Sequence, residues 1–143
     1  MALNKAYTSY QSTSILTSKP EELTLMLYNG LVRFITQAKK ALEEKDINNS
    51  HENLIRAQDI IIEFQATLDM NIEISHNLML LYDYMYRRLV EANLKKDVAA
   101  VGEVLGLASQ LRDTWGELVK KMREENADSN HKSQNNNPQS IAK

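Results

Sequence analysis

Few residues in this chain are of types and spacings that could do chemistry. There are three histidines, His51, His76 and His131, and no cysteine. His76 closes the pattern Glu73-Ile74-Ser75-His76, which on a bundle helix is half of the ligand set of a carboxylate-bridged di-metal centre. Such a centre needs a second E-x-x-H and two further inward carboxylates. Asn48 stands three residues before His51, and His131 lies in a polar tail, so the second half is missing. A phosphotransfer histidine would also have to be His76. Asn77-Leu78-Met79-Leu80 follows it, where that chemistry expects glycine and lysine. The absence of cysteine excludes disulfides, thiolate zinc sites and cysteine nucleophiles, and no glycine-rich phosphate loop follows a strand. The chain reads as a non-enzyme, with no cofactor and no metal.

What the sequence offers instead is apolar surface in excess. In the stretch Leu78 to Leu89, read at ~100° per residue, two apolar stripes run side by side. Ile74, Leu78, Leu81, Met85 and Ala92 form the line expected to face a core. Met79, Tyr82, Tyr86 and Val90 form a second line of aromatic rings with polar tips and a soft thioether, types favoured where one protein grips another.

The neighbouring segments share this excess. Ser18-Lys19-Pro20-Glu21 reads as a capping box with Ser18 as N-cap. It opens a helix with one stripe through Leu23, Leu27, Gly30, Phe34, Ala38 and Ala41 and an adjoining one through Tyr28, Leu31, Ile35 and Leu42. Gly30 is expected to let a neighbouring helix come close. A second helix begins between Asp46 and Ser50, carries Leu54, Ala57, Ile61, Phe64 and Leu68 inward, and keeps Ile55, Ile62 and Ala66 as a separate short stripe. Asp97 caps a fourth helix whose buried arc is Val101, Leu105, Ala108, Trp115, Val119 and Met122, widened by Val104, Leu111 and Leu118. Beside that arc Ala99, Gly102, Gly106, Ser109 and Gly116 leave a nearly bare face, although each glycine costs ~1 kcal/mol of helix propensity.

Four helices with short connections predict an all-α fold, an antiparallel four-helix bundle over residues 18–125. Residues 1–17 read as an N-terminal arm carrying Tyr7, Tyr10, Ile15 and Leu16, and residues 126–143 as a disordered Asn/Gln-rich tail. At 143 residues one domain buries about two-thirds of its unfolded surface, enough for a core without staples. The formal charge is −2, so no basic excess draws nucleic acid. No apolar run approaches the ~20 residues of a spanning helix, and the polar start shows no signal peptide. The expectation is a cytoplasmic protein without membrane insertion.

The runs Ser18-Lys-Pro-Glu-Glu-Leu23-Thr-Leu-Met26-Leu-Tyr28-Asn-Gly30, Leu81-Tyr82-Asp83-Tyr84-Met85, Arg88-Leu89-Val-Glu-Ala92-Asn93 and Thr114-Trp115 stand in register. Together they closely resemble the flagellar export chaperones that hold flagellin before secretion. The main departure is Asn29, where that family often has aspartate. The resemblance implies a cytoplasmic bundle that binds the disordered C-terminal segment of flagellin, which wraps around it and becomes partly helical. It further implies that flagellin is kept from polymerising early and passed to a flagellar export gate component.

The residue pattern supplies the candidate client contacts: Tyr7, Tyr10, Tyr28, Leu31, Ile35, Ile55, Ile62, Met79, Tyr82, Tyr86, Gly102 and Gly106. The arm is expected either to cover the client groove as a lid or to join the grip through its tyrosines. Two other classes fit the same stripes: a self-associating bundle, and an adaptor chaperone with a different client. The free protein is expected to be a monomer or weak homodimer.

Overall fold

The computed structural model describes residues 19–135. Four helices follow in order: α1 (Pro20–Glu43), α2 (Ile47–Thr67), α3 (Glu73–Lys95) and α4 (Val98–Asn135). No strand occurs among the described residues. Connections this short force sequential helices to run antiparallel. The helices form a ring in which α1 packs on α2 and α4, while α3 packs on the same two from the opposite corner.

Local chemistry explains the turns. At one end of the bundle the same hexad, A-x-x-x-K-D, closes both α1 and α3. Lys45 and Lys96 take the left-handed conformation, with φ of 60° and 55°. The next N–H then folds back five residues: Asp46 N to Ala41 O at 2.8 Å and Asp97 N to Ala92 O at 3.0 Å, the 6→1 bond of the Schellman arrangement. Each aspartate at once caps the following helix. Asp46 Oδ1 accepts from Asn49 N at 3.2 Å, and Asp97 Oδ1 accepts from Ala99 N at 3.0 Å. At the other end Asp69 Oδ1 accepts from Asn71 N at 3.0 Å and shapes the longer turn into α3.

The start of α1 differs from the sequence expectation. Its N-cap is Lys19, which makes no side-chain capping bond, and Pro20 occupies the first turn. Ser18, expected as the cap, lies outside the described residues. The turn is instead tied down by α4: Trp115 Nε1 donates to Glu21 O at 2.8 Å, and Arg123 Nε reaches Glu22 Oε1 at 2.7 Å. Gly102 beside Lys39 and Gly116 beside Leu25 show that α1 and α4 run antiparallel.

α4 is longer than expected. Its apolar pattern stops at Met122, yet the helix runs on to Asn135, so residues 126–135 are helical rather than disordered. No glycine or proline interrupts the stretch between Gly116 and Pro138. A helix already nucleated in the bundle extends without paying the nucleation cost again. Residues 136–143 lie outside the described residues.

The core is a single cluster drawn from all four helices. At its centre Tyr28, Phe64, Tyr82 and Trp115 group their rings: Tyr28 and Phe64 centroids are 4.4 Å apart, Phe64 and Tyr82 5.5 Å, Tyr28 and Trp115 6.3 Å. The Tyr28 and Tyr82 hydroxyls share a hydrogen bond across the diagonal of the bundle, one O–H donating and the other oxygen accepting, so each buried hydroxyl has a partner.

Candidate protein-binding surface

The helix faces decide which of the apolar stripes are free. α1 touches two neighbours, burying the stripe from Tyr28 to Leu42 and, from Phe34 on, the other, whose Leu23, Leu27 and Gly30 are half-buried. Leu31 and Ile35 are fully buried and Tyr28 retains 4% of its surface. On α3 the inward seam is Ser75, Leu78, Tyr82, Met85, Leu89 and Ala92, spaced by three and four residues, with Leu78 half-buried and the others buried. Tyr82 therefore belongs to the core, at 2% exposure, whereas Ile74, expected inside, is 62% exposed. Tyr28, Leu31, Ile35 and Tyr82 are core side chains in this arrangement, not surface contacts. The reason is the phenol pair. A polar tip suggested a wet edge, but the partner that satisfies it sits on the opposite helix.

Four of the expected contact residues do come together. On α2, Ile55 and Ile62 are 40% and 46% exposed. On α3, Met79 and Tyr86 are half-buried, Tyr86 packing against the core cluster. The register between the two helices is set by His51 Nδ1 and Asn93 Nδ2, 2.8 Å apart, and by the stacked Phe64 and Tyr82 rings. Carried along antiparallel helices, that register puts Ile55 level with Val90, and Ala66 level with Met79. The four residues thus flank one seam, an apolar-lined face between α2 and α3.

A second apolar strip, missed by the sequence reading, lies where α3 meets α4. Its upper half is closed by polar contacts. Arg88 bridges Glu91 and Glu103, each at 3.0 Å, Lys95 reaches Glu91 at 3.0 Å, and the Tyr84 hydroxyl donates to Glu103. Those contacts hold both carboxyls below the ordinary range, the Tyr84 hydrogen bond acting most on Glu103 and the Lys95 hydrogen bond most on Glu91. The lower half has no such closure. There Ile74 and Leu118 are exposed, and Leu78, Leu81, Leu107 and Leu111 are half-buried. The available signal was the position of Ile74 at the first turn of α3, where no neighbouring helix is forced to cover it.

The glycines do not mark close helix approaches. A Cβ on Gly30 would meet Ile60 Cδ1 at 3.6 Å, one on Gly116 Leu25 Cδ1 at 3.8 Å and one on Gly102 Lys39 Cε at 3.9 Å, all ordinary contacts, and one on Gly106 would meet nothing. Gly102 therefore lies against the Lys39 side chain of α1, and of the two only Gly106 faces open space. Tyr7 and Tyr10 lie outside the described residues.

His76 is exposed on α3, and among the described residues no three histidine, cysteine or acidic side chains come together as a metal site. No helix of the described residues is long and apolar enough to cross a membrane. The chemistry on offer is apolar contact with a few polar fixed points.

The family model described as "Flagellar protein FliS" matches residues 3–122, so it stops where the apolar pattern of α4 stops. The flagellar secretion chaperone FliS of Bacillus subtilis (strain 168) is 47% identical over 125 residues, covering 87% of this chain and 94% of that protein. The protein of the same description from Salmonella typhimurium is 36% identical over 121 residues, covering 82% and 90%. A crystal structure of a bacterial flagellar chaperone superposes with a TM-score of 0.66 at 18% identity, over 82% of this chain and 97% of that one. At that identity the likeness concerns the fold.

Proposed function

Because the chain belongs to the FliS family of flagellar secretion chaperones, we propose that it binds the disordered C-terminal segment of flagellin in the cytoplasm. Bound, the segment cannot join a filament, and the complex is delivered to a component of the flagellar export gate. The role is binding, with no chemical step.

The observation that carries this reading is the free apolar face between α2 and α3, with Ile55 and Ile62 exposed although the core is already complete without them. The spacing of the face is helical, which suits a segment that folds as it docks. The second strip, around Ile74 and Leu118, and the open surface of α4 at Gly106 give a wrapping segment further places to lie. Ordering such a segment costs about 2–5 kcal/mol of the gross interaction, which keeps affinity moderate and release easy.

Light scattering of the full chain with and without a flagellin C-terminal peptide tests the reading. The expected result is a one-to-one complex that forms only with peptide. A stable homodimer that ignores the peptide overturns it in favour of self-association.

A further inference from the structure

On the outer side of α2, Ile55, Asp59, Ile62 and Ala66 follow at intervals of four, three and four residues, all exposed. That is the spacing at which one helix offers a seam to another. Three positions are apolar and one is a carboxylate. Across the groove Met79, Asp83, Tyr86 and Val90 repeat the spacing on α3, and the register set by His51–Asn93 and Phe64–Tyr82 brings Tyr86 level with Asp59.

The two acids of this groove differ. Asp83 is paired with Arg87 at 3.2 Å. Asp59 has no hydrogen bond or ion pair with any described residue. The nearest cation on its own helix, Arg56, is held by Glu52 at 2.7 Å and lies over the Phe34 ring. Glu63, one turn further on, adds a like charge. Partial burial pushes the Asp59 carboxyl above its ordinary range.

A polar residue at a single position of an apolar seam weakens the pairing of helices but fixes its register and its partner. A charged one discriminates further, because any partner that leaves it unpaired must desolvate it without return. We infer that Asp59 sets register and specificity on this face. The docked segment is a helix with a lysine or arginine opposite Asp59 and apolar side chains one turn to either side, over Ile55 and Ile62. This deepens the client reading above and rests on it.

The test is a titration of labelled flagellin C-terminal peptide against the full-length chain at low and high salt, using the wild type, Asp59→Asn, Asp59→Leu and Ile62→Ala. Asp59 is exposed, so thermal melts of its variants should match the wild type. Wild-type affinity should fall with salt. Asp59→Asn should weaken low-salt binding about tenfold and flatten the salt dependence. Asp59→Leu should also weaken it despite the added apolar surface, whereas Ile62→Ala should weaken binding but keep the salt dependence. Unchanged affinity or salt dependence in Asp59→Asn, or tighter binding by Asp59→Leu, overturns the inference while the client reading stands. A wild type that does not bind the peptide overturns both.

Discussion

Removing one hydroxyl of the Tyr28–Tyr82 pair tests the placement of both rings in the core. Tyr82→Phe deletes a single oxygen and opens almost no cavity, but it leaves the Tyr28 hydroxyl buried without its partner. An orphaned buried hydroxyl costs about 1–3 kcal/mol, and Tyr28→Phe should cost about the same for the mirrored reason. The double variant removes the donor and the acceptor together and should be nearly neutral. The two single losses should therefore fail to add, with a coupling of about 2 kcal/mol. Urea unfolding followed by Trp115 fluorescence measures all three, since that ring lies 6.3 Å from Tyr28.

Alkali gives an independent check. Burial raises both phenols above their ordinary value of 10.0. The unfolded chain then gives up these protons first, so stability is intact below pH 10.0 and declines as pH climbs past it. The double phenylalanine variant should lose that part of the decline. Affinity for the flagellin peptide should be the same in all three variants. Additive single effects, or unchanged stability with lost binding, would return the rings to the surface and refute the core assignment.

The other predictions concern the free faces. Ile62→Ala combined with Tyr86→Ala should weaken peptide binding by about 2 kcal/mol or more, as interface anchors do. Thermal stability should fall less than in Leu89→Ala, where a fully buried side chain leaves a cavity costing about 2–5 kcal/mol. Gly106→Leu meets open space, so the melting temperature should rise with the gain in helix propensity, while peptide affinity falls. Unchanged affinity would remove that face of α4 from the client path. Deleting residues 2–16 should leave the melting temperature unchanged, increase binding of a dye that reports apolar surface, and tighten the peptide. Weaker peptide binding would instead make Tyr7 and Tyr10 part of the grip.

Helices and turns were legible because their signals are local. Asp46 and Asp97 announce two helix starts, and the inward residues of α2 follow one stripe. The faces of α1 and α3 were harder to read because each has more apolar positions than one neighbour needs. Periodicity shows that a stripe exists but not how many helices surround it. Tyr82 was misread because its hydrogen-bond partner is 54 residues away in sequence. Ile74 was misread because a stripe gives no warning that its last member lies beyond the neighbouring helix's cover. The extension of α4 has no apolar face for a pattern search to find, yet nothing in it stops a helix already under way. Ile55 and Ile62 were legible as surface because Gln58, Gln65 and Asp69 separate their stripe from the inward one on α2, whereas Met79 and Tyr86 shared a stripe with the buried Tyr82 and are themselves half-buried.

The end of α4 has a consequence for how unfolding is observed. From Met122 to Asn135 the helix extends about 20 Å at ~1.5 Å per residue, and its side chains from Arg123 through Lys132 are exposed. Such a stretch melts from its free tip inward, one residue at a time, with no packing to make the loss abrupt. Ellipticity should therefore slope with temperature well before the bundle opens, while the signal of Trp115, clipped to the first turn of α1, stays flat until the core gives way. Helix content and core integrity are separate quantities in this protein, and a single midpoint taken from ellipticity mixes the two.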